Sequence, residues 1–173
     1  MVGSDSSAAG LHDDGMVSCW GRDFEGSVSG PNDEGLTGVR EVAAGIEHSC
    51  VLRDDGGLFC WGDPQLPRVS GPNAEKGKDF VQVMAAAHQS CGLRQDTTII
   101  CWGQDEDGQV SGANRPYLEG WTQLSGSIEA DGNHLCALMF DGTVTCWGSD
   151  SHGQITGQDE LARDPTQWDF AHM

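Results

Sequence analysis

The tripeptide Cys-Trp-Gly occurs four times in this chain, and its spacing leaves few folds open. The copies are Cys19-Trp20-Gly21, Cys60-Trp61-Gly62, Cys101-Trp102-Gly103 and Cys146-Trp147-Gly148, with the tryptophans 41, 41 and 45 residues apart. Other positions keep the same period. Each triplet is followed by an apolar-polar-Gly segment: Val28-Ser29-Gly30, Val69-Ser70-Gly71, Val110-Ser111-Gly112 and Ile155-Thr156-Gly157. Each is preceded by a turn signal, at Asp13-Asp14-Gly15, Asp54-Asp55-Gly56, Asp96 and Asp141-Gly142. Asp-Gly supplies the positive φ angles that tight hairpins require. Upstream of three of these turns runs a strand-like segment: Val42-Ala43-Ala44-Gly45, Val81-Gln82-Val83-Met84 and Trp121-Thr122-Gln123-Leu124.

Each unit therefore reads as about three short antiparallel strands bounded by turn residues. No apolar pattern of helical period runs beyond a turn or two, and Glu160-Leu161-Ala162-Arg163 offers one helical turn at most. A unit of about 40–45 residues is the length of a propeller blade. The expected fold is all-β: a β-propeller of short antiparallel blades, about four per chain. It could be a closed small ring, half of a dimeric ring or an open fragment. Residues 1–7 read as a disordered tail and residues 8–173 as the repeat array. The chain ends are out of phase with the unit. The N-terminus enters mid-blade at Ala9-Gly10-Leu11, and Gln167-Trp168-Asp169-Phe170-Ala171 resembles the first strand of a unit. Such ends can share one blade within a chain or join two chains as a homodimer, in either case covering open sheet edges.

Six of the seven cysteines form a regular set. Cys50 and Cys60, Cys91 and Cys101, and Cys136 and Cys146 are each ten residues apart and straddle a hairpin turn. Across an antiparallel hairpin such residues face each other, with Cα atoms ~4.5 Å apart at a non-hydrogen-bonded pair, within disulfide range. Three bridges are expected, and with them an oxidising or extracellular compartment. Cys19 has Ala9 at the corresponding position. It stands outside this set, either as a buried thiol or as an intermolecular link. Zinc is the competing use of the cysteines, but structural zinc sites use Cys-x2-4-Cys pairs that a ten-residue spacing does not supply.

One unit combines His48-Ser49-Cys50, Gly56 and Trp61-Gly62, and later units carry Trp102-Gly103, Gly108-Gln109-Val110-Ser111-Gly112, Trp147-Gly148 and Gly153-Gln154-Ile155-Thr156-Gly157. This pattern resembles the regulator of chromosome condensation repeat, in a cysteine-containing variant, over residues 8–171. The resemblance implies a propeller, in known members usually of seven blades. That family includes a guanine-nucleotide exchange factor for a small nuclear GTPase, the plant ultraviolet-B receptor and β-lactamase inhibitor proteins. Their shared theme is protein binding through one face of the ring. The four units here are fewer than such a ring contains.

Charge narrows the function. Acidic residues outnumber basic ones 27 to 9, for a formal net charge of −18. Nucleic-acid backbones need Lys and Arg, so neither nucleic acid nor an anionic membrane is an expected partner. No run approaches the ~20 apolar residues of a membrane span. The chain has no nucleophile elbow, phosphate loop or dinucleotide fingerprint, so no catalytic residue, metal or cofactor is assigned. Asp105-Glu106-Asp107-Gly108 lacks the alternating pattern of a calcium loop, and Asp23 and Asp150 hold the place of Asp105. His48 and His134 recur before a cysteine and read as structural hydrogen-bonders. Trp20, Trp61, Trp102 and Trp147 read as a packing layer between blades. The expected function is non-enzymatic binding of an unidentified protein. Varied loops on a rigid scaffold would make the contacts, with Phe24, Arg115, Tyr117 and Trp121 as candidates because aromatics and Arg dominate hot spots. The alternatives are a carbohydrate-binding propeller and nucleotide exchange on a small GTPase.

Overall fold

The structure, a computed structural model, describes residues 2–3, 7–23, 26, 28–30, 36–64, 67–74, 77–114, 119–126, 134–153 and 155–156. Four three-stranded antiparallel sheets follow one another along the chain as propeller blades. The first holds β1 (Val2–Gly3), β2 (Ser7–Leu11) and β3 (Val17–Gly21). The second holds β4 (Val39–Ala44), β5 (His48–Arg53) and β6 (Leu58–Gly62). The third holds β7 (Phe80–Ala85), β8 (Gln89–Arg94) and β9 (Ile99–Gly103). The fourth holds β10 (Trp121–Gly126), β11 (His134–Met139) and β12 (Val144–Gly148).

The hairpin register follows from the turns. Gly15, Gly56 and Gly142 supply the positive φ at the tip, and Thr97, at φ 67°, takes that place in the third unit. With the tips fixed, Cys50 pairs with Cys60, Cys91 with Cys101 and Cys136 with Cys146. All three pairs are disulfide-bonded, with Cα atoms 4.0–4.1 Å apart. Ala9 stands opposite Cys19 in the same register, so Cys19 is a buried thiol outside any disulfide. The glycine of each Cys-Trp-Gly sits at positive φ, and in the second unit backbone approach requires it as well: a Cβ on Gly62, at φ 109°, would lie 2.4 Å from the Glu47 carbonyl oxygen.

Each seam between sheets has its own apolar cluster, and the pattern repeats. The tryptophan of the later sheet packs on the glycine of the earlier unit's turn. A Cβ on Gly71 would meet Trp102 at 2.3 Å, and one on Gly112 would meet Trp147 at 2.6 Å. From the other side, the leading residue of the later first strand, Phe80 or Trp121, joins the cysteines and leucines of the earlier sheet. Burial of such aromatics is the main stabilising term in a sheet stack this thin.

Of residues 1–7, expected as a disordered tail, Val2–Gly3 pairs with Ala8 and Ala9 and Ser7 opens β2; residues 1 and 4–6 lie outside the described residues. The sequence pattern also missed α1 (Pro67–Ala74). Proline at a first helical position costs nothing, because that N–H has no intrahelical partner. The helix buries only Arg68 and Pro72, so it has no apolar stripe for a periodicity to reveal. Glu160-Leu161-Ala162-Arg163 lies outside the described residues.

Candidate functional site

The segment after each third strand closes one rim of the array. In three units an aspartate organises it: the Oδ1 atoms of Asp23, Asp105 and Asp150 each accept two backbone N–H groups, from Val28 and Ser29, Val110 and Ser111, and Ile155 and Thr156. These backbone bonds hold the Asp23 and Asp150 carboxyls below the usual aspartate value. The acidic loops thus commit their oxygens to their own turns. Among the described residues no group of three His, Cys, Asp or Glu side chains is placed to hold a metal.

The second unit departs from this design. Pro64 replaces the capping aspartate, Pro67 replaces glycine, and Arg68 stands where Gln109 stands in the third unit. Asn73 anchors the far end of α1: Cys60 N–H donates to its Oδ1 and its Nδ2 donates to the Cys60 carbonyl, both at 2.7 Å. Asn114 makes the same pair of bonds to Cys101. These amides stand in for a fourth strand along the sheet edge.

Held this way, Arg68 is driven into the seam between the second and third sheets, where its side chain is 2% exposed. Its guanidinium donates to Asp63, itself buried, and to Glu47 at 3.1 Å, and it meets His88 Nδ1 at 2.9 Å. The Arg68 carbonyl accepts the Ser90 hydroxyl at 2.8 Å. That bond leaves Ser90 Oγ to accept from His48 Nε2, also at 2.8 Å. His48 is therefore the Nε2–H tautomer, assigned from this network. Burial, with the Arg68 and His88 charges behind it, pushes the His48 pKa down to about 3. A serine whose proton points at a carbonyl, beside an imidazole whose proton points at the serine, is arranged for structure and not for nucleophilic attack. What faces outward is Glu47, 40% exposed, with His88 part-buried beside it.

The residues singled out from sequence fall as follows. The six bridging cysteines are joined as three pairs. Trp61 and Trp147 are buried and Trp102 is half-buried, but Trp20 is 44% exposed. His48 is buried and His134 half-buried. Phe24, Arg115 and Tyr117 lie outside the described residues. Trp121 does not serve as a surface contact: it is 3% exposed and lies edge-on to Trp147, ring centroids 5.3 Å apart. A leading first-strand residue must fill the seam, which the contact reading overlooked. Sequence reasoning also missed Arg68, Asp63, Glu47 and His88. The signal was there, since Asp63 and Arg68 replace Gln104 and Gln109 one 41-residue period on.

A family model described as "Regulator of chromosome condensation (RCC1) repeat" matches residues 39–65 and 128–154. No curated protein sequence matches the chain. Among solved structures, the ectodomain of the Physcomitrella patens receptor kinase CR4 is similar at TM-score 0.61 and 23% identity, over 84% of this chain and 39% of that one. The CRINKLY WD40 ectodomain of the Arabidopsis thaliana receptor kinase ACR4 is similar at TM-score 0.64 and 23% identity, over 84% and 52%. Prp20p from Saccharomyces cerevisiae, a structure reported with its binding to Gsp1p and histones, is similar at TM-score 0.66 and 18% identity, over 84% and 44%. The chain spans about half the length of these proteins or less.

Proposed function

From the premise that this chain is built of RCC1-type repeats on a propeller, we propose that it is a non-enzymatic module that binds another protein. The contact surface is the rim at the seam of the second and third units, around Glu47 and His88. One observation carries this reading. Within a scaffold that repeats its register from unit to unit, the charged set of Arg68, Asp63 and Glu47 breaks the repeat, and it opens to solvent on one rim. Departures from a repeat on a rigid frame are where recognition resides. The net charge of −18 favours a partner with a basic surface, whose approach it would steer. Two similar structures are receptor ectodomains, and the three disulfides are bonds that form in an oxidising compartment. Both support an extracellular setting. The burial of Trp61 and Trp147 removes the exposed indole ladder that a carbohydrate-binding propeller would need.

The test compares the two rims. A photo-crosslinking side chain is placed at Glu47 or, on the opposite rim, at Asp141 in the fourth hairpin, and the chain is returned to its native medium. A protein captured at position 47, with capture weakened by salt and absent at position 141, is the expected result. Equal capture at both positions, or capture at 141 alone, would refute the assignment.

A further inference from the structure

The Arg68 side chain joins two turns that hold the same place in successive units. Glu47 and His88 are 41 residues apart, one period of the repeat, and each stands immediately before the middle strand of its sheet, β5 or β8. Their carbonyls make the same bond: Glu47 accepts Asp63 N–H at 2.9 Å, and His88 accepts Gln104 N–H at 3.0 Å. The guanidinium lies between the two side chains. Its Nη2 donates to Glu47 Oε2 at 3.1 Å, and its Nη1 meets His88 Nδ1 at 2.9 Å. The contact with His88 works in one protonation state only. A guanidinium is always charged and only donates. His88 Nδ1 is therefore an unprotonated acceptor with its ring proton on Nε2, a tautomer assigned from this contact. A second proton, on Nδ1, would set donor against donor and cation against cation. Arg68 has nowhere to retreat. Its side chain is 2% exposed, Asp63 holds the guanidinium, its carbonyl accepts the Ser90 hydroxyl at 2.8 Å, and Asn73 ties down the far end of α1. His88 is part-buried, so it is the partner with solvent to turn into.

We propose that His88 is a proton-operated latch on this rim: neutral, it joins the third unit's turn to Arg68; protonated, it turns out from the guanidinium and the rim loses its hold on a basic partner. The proposal rests on the contact surface assigned above. The charged and titratable groups around the His88–Arg68 contact are Arg68 on α1, Glu47 before β5, Asp63 after β6 and His48 on β5. Both carboxylates already accept from Arg68. His48, which burial holds neutral, gives its proton to Ser90. No member of the set is left to replace the acceptor that Arg68 loses. The change in charge has the sign that release requires. With His88 neutral, one cation and two carboxylates leave the cluster anionic, and a proton on His88 cancels that excess. Both consequences fall on Glu47 and His88, the members that solvent reaches. Histidine protonation alters interfaces by this combination of a lost acceptor and a gained charge.

NMR of the nitrogen-labelled chain tests the latch, and a short oligolysine peptide tests what it controls. The pH is lowered from about 7.5 to about 5, the interval in which histidine side chains change charge. His88 should pass from the Nε2–H tautomer to the doubly protonated ring while the Arg68 guanidinium N–H signals shift in step, with the far-UV circular dichroism unchanged. Oligolysine binding, followed at the Glu47 backbone amide, should weaken by about fivefold over the same interval, the effect of one charge at contact distance in water. His88→Asn keeps an acceptor near the place of Nδ1 and takes no proton. Whatever its strength at neutral pH, its binding should weaken by less than about twofold. The other histidines are common to both proteins, so the difference reports His88. Arg68 signals that stay fixed while His88 protonates would overturn the latch. So would an asparagine variant that loses binding as steeply as the wild type, or an imidazole that stays neutral until the chain unfolds. Oligolysine that leaves Glu47 undisturbed at neutral pH would overturn the contact surface and the proposal with it. That failure is told apart from the others because the His88 and Arg68 signals are read without peptide.

Discussion

The seam between the second and third sheets and the seam between the third and fourth are built on the same backbone with opposite chemistry. Where the second unit has Glu41, His48, Asp63 and Arg68, the third has Gln82, Gln89, Gln104 and Gln109. Register, hairpin bridge and tryptophan wedge are the same in both. The propeller therefore does not need charge to hold its sheets together, because amides occupy every one of these positions one repeat on. The ion pairs of the second unit are an addition to a frame that already stands. A buried pair of this kind seldom stabilises more than the neutral groups it replaces.

The largest way to break the comparison is Arg68→Ala. It removes the cation that neutralises Asp63 and Glu47 inside the seam and should cost about 3–5 kcal/mol, since the remaining carboxylate stays buried. The double change Asp63→Gln with Arg68→Gln imports the third unit's pair and should recover most of that loss. Urea unfolding of the three proteins measures both effects. A single variant as stable as the double would mean that the charges do not act as a unit.

His48→Gln should remove a pH dependence that the third unit lacks. Folding lowers the His48 pKa to about 3 from 6.5, so the folded protein favours neutral imidazole. Its contribution is fully present above pH 6.5 and is lost as pH falls toward 3. Arg68 and His88 face the ring from α1 and from the turn that leads into β8, and both oppose a second positive charge there. Between about pH 7 and pH 5 the wild type should lose about 2 kcal/mol from this group, and His48→Gln should lose little. Gln89 shows that an amide is accepted at this position, fully buried. Equal slopes for wild type and variant would remove His48 as the cause.

Where the two units are alike, their responses should be alike. Asn73→Ala and Asn114→Ala each delete two bonds to the backbone of a bridged cysteine and should each cost about 1–3 kcal/mol. A marked inequality would show that α1, where the third unit has turns over 109–114, adds support that the shared bonds do not.

Sequence and structure agree where one residue type has one physical use. The ten-residue cysteine spacing across a turn with a positive-φ residue at its tip, Gly56, Thr97 or Gly142, matches one hairpin register, and all three bridges have it. The recurrence of Cys-Trp-Gly marks the number of blades because each of its glycines ends a third strand at positive φ. The Arg68 cluster was not legible in the same way. Glu47 and Asp63 meet across one hairpin, a step beyond the His48–Gly62 pair, but His88 is 40 residues from His48, and only the stacking of two sheets brings it to the cluster. Trp121 escaped for a related reason. An aromatic beside a variable loop looks like a contact residue until the first strand's leading position is seen to fill the seam.

The smallest effect has the opposite sign and bears most directly on what the charges are for. Glu41 accepts Val83 N–H at 3.1 Å across the charged seam. A carboxylate has no proton to return to the Val83 carbonyl, as Gln82 does to that of Leu124. Burial raises the Glu41 pKa, against the pull of the Val83 N–H and Arg40. An acid whose folded pKa is raised stabilises the fold least when ionised, so its penalty is absent below 4.5 and grows as pH rises through the folded value. Glu41→Gln should therefore stabilise the protein at neutral pH, by about 0.5–1 kcal/mol given one extra hydrogen bond and a site that solvent partly screens. The gain should shrink toward about pH 4, and Gln82→Glu should show the mirror-image loss. Denaturation midpoints at the two pH values check both. If Glu41→Gln instead destabilises at neutral pH, the carboxylate contributes to the seam through Arg40, and the second unit's charges would be part of the frame after all.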